Sequence, residues 1–444
     1  MPVAVTMMRE IQIMPKIMIL GASALQVPAI EAAKRMGYET IVIDYDPDAV
    51  GFAIADVKLV ISTIDMDAVL EAAKKYEPDV IITSTSDAPV RTAAYVNEQL
   101  GKRPELSYED SKRATIKSYM RDRLREHGLP IPQYYVCKNR DEYEQAVKQL
   151  DYKAIVKPAD NAGSRGVTLL DSKDAKVIRD TYEYSLGNSR QAGDVLVEEY
   201  MTGREVSVES MTIDGETTVI TITDKHITPP PFFVELGHNE ASTLDDAVKQ
   251  QIIEITKKAA AAIGMKNCPS HTEMKITPDG PKIVEIAARL GGDFITSKLV
   301  PLSTGVDMVG SSVALACGRE VNITKKWDRG AAIYFISAAN VVSETDGEDT
   351  ACGVIKDIPV PEEYKQYLDA HRDYLDIDSL RSVEGVQEIV LYKNVGDEVH
   401  GTESSNDRLG HVIAVGKDAT EAYELAKSIG ERIRFVIEKG SNLR

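Results

Sequence analysis

Apolar residues recur along this chain with two different periods, and each change of period marks an element. Between residues 16 and 103 short, β-branched apolar runs alternate with amphipathic stretches. KIMIL and ETIVID read as strands, and VPAIEAAKRMG between them has helical spacing and a glycine stop. MDAVLEAAKKYEP reads as a helix, and DVIITST as a third strand. Apolar strands alternating with helices predict a parallel sheet covered on both faces. The first turn is Gly21-Ala22-Ser23 and Asp44 ends the second strand, as in a Rossmann-like beginning. The GxGxxG spacing is missing, so a structural βαβ unit without a dinucleotide site is expected.

Beyond it, RATIKSYMRDRLREHG predicts one helix, closed by Gly128 with Pro130 and Pro132 following. YKAIVKPADNAGSRGVTLLDS reads as strand, glycine-containing loop, strand. DVLVEEYMTGREVSVESMTIDGETTVITITDK reads as a meander of strands, and Pro229 to Pro231 mark a loop. DAVKQQIIEITKKAAAAIG is an amphipathic helix. HTEMKITPDGPKIVEIAARLGG, residues 271–292, is a hairpin around Pro-Asp-Gly. From about residue 326 the pattern is α+β, ending in GHVIAVGKDATEAYELAKSIGERIRFVI, a strand and then a helix. No internal repeat or low-complexity tract interrupts it.

Composition narrows this picture. A chain of 444 residues, 43% hydrophobic and 27% charged, suits a globular protein of several domains. It has no apolar run of about 18 residues, so no membrane span is expected. The stretch before the first strand lacks an apolar core, so residues 1–14 are expected to be an extension, not a secretory signal. A net charge of −18 argues against nonspecific binding to nucleic acid or anionic lipid and leaves room for a local basic pocket. Cys137, Cys268, Cys317 and Cys352 are far apart and form no CxxC, which suits a reducing cytoplasm without disulfides or a zinc site.

Several positions carry candidate chemistry. The loop Asn161-Ala162-Gly163-Ser164-Arg165-Gly166 can bring backbone amides close to phosphates, though it joins two strands and is not a P-loop. Lys157 closes an apolar strand, where a buried ammonium is costly unless it meets an anion. Lys117, on the preceding helix, is a second cation. Glu198, Glu199 and Glu205 stand where a strand runs from apolar into polar residues, and Glu205 suits ribose hydroxyls. With the hairpin centred near Asp279, Glu273 and Glu285 face each other, and like charges so placed destabilise a sheet. Three remedies stay open: a divalent cation between them, a shared proton, or a salt bridge to Lys275 or Arg289. Arg289, four residues after Glu285, can hold a phosphoryl group or a carboxylate bidentately. His271 lies on the same strand face as Glu273.

In order, IVKP, NAGSRGV, VLVEEYMTGREVSVE and HTEMKIT…KIVEIAARLGG resemble the ATP-grasp superfamily, over nearly the whole chain. PPPFFVELGHNEAS, residues 229–242, is most similar to the L-amino-acid ligase (dipeptide-forming carboxylate–amine ligase) group. The resemblance implies an α/β chain, α+β in part, with an ATP-grasp fold. Its divisions would be an N-terminal Rossmann-like preATP-grasp domain (15–115), a lid subdomain with linker helix (116–195), a core (196–325) and a C-terminal α+β domain (326–444). It implies ATP and Mg²⁺ or Mn²⁺ as cofactors and small-molecule carboxylate and amine substrates. It is compatible with a homodimer. By resemblance Lys117 and Lys157 would contact ATP phosphates, and Gly163, Ser164, Arg165 and Gly166 would close over them. Glu198, Glu199, Tyr200 and Met201 would form the adenine hinge, and Glu205 would hold ribose. Glu273 and Glu285 would ligate metal, and Arg289 would stabilise the acyl-phosphate charge. Glu235 and His238, in a loop expected over FVELGHNE, would lie near substrate, as would His271, Gly291, Gly292 and Asp293. The family often has Asn two residues after the second Glu, and here that position is Ala287. Two other readings remain: a bicarbonate-using enzyme like biotin carboxylase or carbamoyl-phosphate synthetase, and an ATP-binding regulatory protein without turnover.

Overall fold

The computed structural model describes residues 14–102, 105–161, 165–189, 193–230, 232–343, 352–358, 374–375 and 384–438. The expected N-terminal extension thus lies almost wholly outside the described residues, as do Gly163 and Ser164.

The first sheet is parallel, with strand order β3-β2-β1-β4. Its strands are β1 (Lys16–Leu20), β2 (Glu39–Asp44), β3 (Val57–Val60) and β4 (Val80–Thr83). Helices α1 (Val27–Arg35), α2 (Met66–Tyr76) and α3 (Ala88–Gln99) connect and flank them. DVIITST is therefore the fourth strand, not the third. The short strand VKLV, with alternating half-buried and exposed residues, lacks the apolar run that marks its neighbours. Asp44 accepts from the amides of Ala22 (2.7 Å) and Asp46 (3.1 Å), so it braces the first turn.

The long helix expected at 113–128 is two helices, α4 (Tyr108–Thr115) and α5 (Lys117–Glu126). Ile116 between them is extended at φ −115°, ψ 112°. The break places Lys117 at the start of α5, where its amide donates to Ala159 O at 2.8 Å.

A second, antiparallel sheet has the order β5-β8-β6-β7. It comprises β5 (Tyr134–Cys137), β6 (Lys153–Pro158), β7 (Thr168–Asp171) and β8 (Val195–Glu199), packed with α6 (Arg140–Gln149) and α7 (Ala175–Gly187). A division between 195 and 196 would cut this sheet at β8.

The third sheet has nine strands, ordered β13-β12-β9-β10-β11-β14-β20-β18-β17. In chain order, β9 (Arg204–Ile213), β10 (Glu216–Ile227) and β11 (Glu235–Glu240) precede α8 (Asp246–Ile263), and β12 (Cys268–Thr277) and β13 (Gly280–Ala287) form the hairpin. After α9 (Val300–Thr304) and α10 (Met308–Ala316) come β14 (Gly330–Ile336), β15 (Val341–Ser343), β16 (Gly353–Asp357), β17 (Tyr374–Leu375), β18 (Val386–Leu391), β19 (Glu398–Val399), β20 (Gly410–Gly416), α11 (Ala419–Gly430) and β21 (Phe435–Glu438). β14 pairs directly with β11, so the sheet runs unbroken past residues 325 and 326. The remaining strands form a small sheet, β15-β21-β16-β19.

Strand alternation decides which side chains reach the site. On β9, Val206 and Val208 join Met274, Ile283 and Ile286 in one apolar core with α8 residues such as Ile252 and Ala259. Glu205, Ser207 and Glu209 point the other way, because successive side chains take opposite faces. On β12 the alternate residues His271, Glu273 and Lys275 join that polar face by register with Glu209, Ser207 and Glu205.

Candidate active site

A cleft of about 900 Å³ opens on this polar face. It is lined from all sides: by the ends of the first sheet, by the second sheet, and by the hairpin with the Gly-Gly turn after it.

The hairpin turn is tighter than the sequence suggests. Thr277 pairs with Gly280, which by simple counting would set Glu273 opposite Val284. A β-bulge between Glu273 and Met274 on one side and Ile283 and Glu285 on the other restores the expected opposition of Glu273 and Glu285. Val284, the extra residue, also lines the cleft. Its carbonyl accepts from Arg121 Nη2 at 2.7 Å.

Neither Lys275 nor Arg289 relieves the facing carboxylates. Glu285 Oε2 meets Lys117 Nζ at 2.8 Å, and that ammonium also donates to Asn161 O at 3.0 Å. Glu273 Oε1 meets Lys225 Nζ at 2.7 Å and lies 3.5 Å from His271 Nε2. Lys275 instead pairs with Glu205 (3.2 Å), and Arg289 pairs bidentately with Asp87 (2.8 and 3.1 Å). Against burial, Lys225 and His271 hold the Glu273 carboxyl well below its usual range. Against burial, Glu209, 2.7 Å from His271 Nδ1, pushes that imidazole up to about 9. Gly291 is required here, since a Cβ would come within 2.8 Å of both Glu209 Oε2 and His271 Nδ1.

Lys157 is buried, as its strand predicts, and its anion is Glu198 at 2.7 Å. Arg121 grips the same carboxylate through Nε (2.7 Å) and Nη2 (3.1 Å). Two buried cations thus share one carboxylate. Burial alone would raise the Glu198 carboxyl, but Arg121 and then Lys157 bring it down to about 2. Burial pulls the Lys157 ammonium below its usual range, opposed by Glu198. The Glu198 side chain is therefore occupied in this triad, and its backbone sits in the ladder between β5 and β6, opposite Tyr134 and Ile155. Glu199 pairs with Lys282 (3.2 Å), Met201 is buried, and both line the cleft with Tyr200 and Glu205. Arg165 lines the cleft as well, and Gly166 turns the loop at φ +78°, packed against Pro158 and Asn188.

At the other end, Glu235 and His238 lie on strand β11, not in the loop expected for them. The run FVELGHNE is broken by Gly237 and carries polar residues on both faces, so its strand character is hidden. Asp293 Oδ2 meets Arg408 Nη1 (3.0 Å) and His238 Nε2 (3.4 Å), and its carboxyl is held below the usual range. Asp293 and Phe294 both adopt left-handed φ, 49° and 62°, a strained pair that follows Gly291-Gly292 and aims Asp293 at the cleft. Ala287 is buried opposite His271.

Sequence reasoning missed Lys225, Arg121, Asp87, Glu209 and Arg408. The period-two run E-V-S-V-E at 205–209 signals a polar strand face, and Arg121 lies four residues after Lys117, on the same face of a helix.

Among the described residues, no group of three or more His, Cys, Asp and Glu side chains is arranged to hold a metal alone. Two facing carboxylates at the cleft surface do fit a nucleotide-borne divalent cation, which takes its other ligands from phosphate and water.

At the end of β11, Glu240 is fully buried, accepting from Thr223 Oγ1 (3.0 Å) and Ser303 Oγ (2.7 Å). Burial pushes its carboxyl from 4.5 up to about 8. Between those values the unfolded chain has lost a proton that the folded chain keeps, so stability falls as pH rises across that window. Glu240→Gln is expected to raise the melting temperature by a few degrees at pH 8 and little at pH 5. A variant that melts lower than wild type at pH 8 would contradict this.

The ATP-grasp domain family matches residues 150–297, and the L-amino acid ligase C-terminal domain 2 family matches residues 374–438. Alanine–anticapsin ligase of Bacillus subtilis (strain 168) is 26% identical over 294 residues, 61% of this chain and 61% of that protein. The match thus spans about three fifths of that relative. The crystal structure of L-amino acid ligase from Bacillus licheniformis superposes with a TM-score of 0.73 at 17% identity, covering 96% of this chain and 100% of that one. Phosphoribosylglycinamide synthetase from Anaerococcus prevotii superposes with a TM-score of 0.69 at 19% identity, covering 95% and 99%. No single helix among the described residues is long and apolar enough to cross a membrane.

Proposed function

Because this chain belongs to the ATP-grasp superfamily and carries the C-terminal domain 2 of the L-amino acid ligases, we propose that it joins a carboxylate to an amine with an amino acid as a substrate. The reaction would use ATP, pass through an acyl phosphate, and release ADP and phosphate. The observation that carries this reading is one continuous cleft. It holds the opposed Glu273 and Glu285 with their lysines at one end, and Glu235, His238 and Asp293 at the other.

The chain's own groups divide the task. The Lys157–Glu198–Arg121 triad holds one positive charge more than it neutralises, which draws a triphosphate to Lys157. Lys117 holds Glu285 in place, and Lys225 holds Glu273 ionised and in place. A divalent cation bound between these carboxylates would neutralise phosphate oxygens. Arg289, fixed by Asp87 and by its own bond to Leu290 O (3.0 Å), presents its guanidinium beside Glu285 to the acyl phosphate formed when the substrate carboxylate attacks the γ-phosphorus. The amine then attacks the acyl carbon and phosphate leaves. Glu235 and Asp293 suit the ammonium of the amino acid. Positioning and charge stabilisation supply most of the catalysis.

The test is phosphate release from Mg-ATP with pairs of amino acids, with bicarbonate, and with no acceptor. Release stimulated by amino-acid pairs, with a stoichiometric amide product, is expected. Stimulation by bicarbonate alone, or tight ATP binding without stimulation, would overturn the reading.

A further inference from the structure

The amino-acid end of the cleft is closed by a short turn from the C-terminal region. Asp407 accepts from the amides of Glu403 (3.1 Å) and Ser404 (2.7 Å) and from Ser404 Oγ (2.9 Å), which fixes the turn. Ser405 and Asn406 line the cleft, and Ser405 Oγ donates to Glu235 Oε2 at 3.2 Å. Arg408 follows, just ahead of β20.

Arg408 is 3% exposed, with its guanidinium 3.9 Å over the Phe335 ring. Nη1 meets Asp293, and Nη2 stands 3.6 Å from Glu235 Oε2. Nε and Nη2 have no hydrogen-bond partner. A buried guanidinium with unmet donors is costly, so hydrogen bonding alone does not account for its place. Its charge does. The two carboxylates it faces are 21% and 30% exposed, and both line the cleft. The cation therefore sits behind and the anions in front.

Among the described residues, no other lysine or arginine beside them is unshared, and the one histidine in contact is His238, 3.4 Å from Asp293. Lys225 lies 3.5 Å from Glu235 but is already shared between Glu205 (2.9 Å) and Glu273 (2.7 Å). Lys298, behind Phe294, is paired with Glu388. Two carboxylates backed by one guanidinium leave about one negative charge facing the cleft, enough for a single ammonium.

We propose that Arg408 is a specificity-determining residue: by cancelling one of two carboxylate charges, it restricts this end of the cleft to amino acids that carry one ammonium and turns away those with a second cationic group. This rests on the ligase reading above, and on Glu235 and Asp293 holding the substrate ammonium. It gives the C-terminal domain a direct part in substrate choice.

The experiment compares Arg408→Met, which keeps the stem over Phe335, with Arg408→Lys, which keeps the charge. For each, kcat and KM are measured for ATP, for neutral amino acids such as alanine and leucine, and for lysine and 2,4-diaminobutyrate. Arg408→Met is expected to shift the kcat/KM ratio toward the basic substrates by about tenfold or more, mainly through KM for the amino acid. KM for ATP should stay within about twofold, which also reports that the nucleotide end is folded. Arg408→Lys should retain the neutral preference. Adding Glu235→Gln to Arg408→Met removes the extra negative charge and should bring that preference back. An unchanged ratio in Arg408→Met, or an equal shift in the Met and Lys variants, would overturn the inference. A wild-type protein stimulated by no amino acid would sink the ligase reading itself, which separates the two failures.

Discussion

Glu285→Gln is expected to lower substrate-stimulated phosphate release by about a thousandfold. The amide keeps the size of the side chain and can still accept from Lys117, 2.8 Å from Oε2 in the wild type. It cannot supply the negative charge that a divalent cation requires. The side chain lies at the cleft surface, so the substitution buries no new polar group and the fold should survive. Melting within a few degrees of wild type, together with lost turnover, is the expected pair of results. Turnover within about tenfold of wild type would mean that the opposed carboxylates do not hold the nucleotide's metal. Glu273→Gln is a less clean test, because Lys225 and His271 both lean on that carboxylate.

Glu198→Gln should instead act on stability. It leaves Lys157 and Arg121 buried without an anion, and removing one member of a buried ionic cluster costs about 3–5 kcal/mol. The loss should appear as a lower urea midpoint at neutral pH. Its pH dependence has a definite sign. The folded Glu198 carboxyl is at about 2 and its ordinary value is 4.5, so its contribution is complete above about pH 4.5 and is lost as pH falls toward 2. The gap between variant and wild type should therefore narrow in acid. If Lys157 contacts the ATP phosphates as proposed, ATP would supply the missing anion and should stabilise the variant more than the wild type. Equal urea midpoints at pH 7 would remove the triad from the account of the site.

How far the sequence carried depended on whether a residue's role was local. Strand and helix periodicity exposed the first sheet apart from β3, the hairpin and the terminal strand–helix pair, because there the apolar spacing itself is the fold. The long helix at 113–128 split at Ile116, a β-branched residue that no local signal marks as a break. It is extended so that the Lys117 amide can reach Ala159, a partner 42 positions away in the chain. The lysines and paired glutamates were visible as improbable residues in their settings. Their partners were not, because Lys117–Glu285, Lys225–Glu273 and Arg289–Asp87 join elements from distant parts of the chain. Spacing rules report neighbours along one helix or strand and say nothing of pairs formed by folding one sheet over another. Asp293 shows the same limit: its partner Arg408 lies on a turn more than a hundred residues away.

The bulge at Val284 has a consequence for how this hairpin tolerates changes in length. Losing the bulge residue would leave Ile283 opposite Met274 and bring Glu285 into the next place of the ladder, still opposite Glu273. Losing a second residue from this stretch would set Glu285 opposite Met274 and turn its carboxylate toward the apolar core. The hairpin should therefore tolerate one deletion ahead of Glu285 and not two, so the spare residue is a margin of length that protects the opposed glutamates.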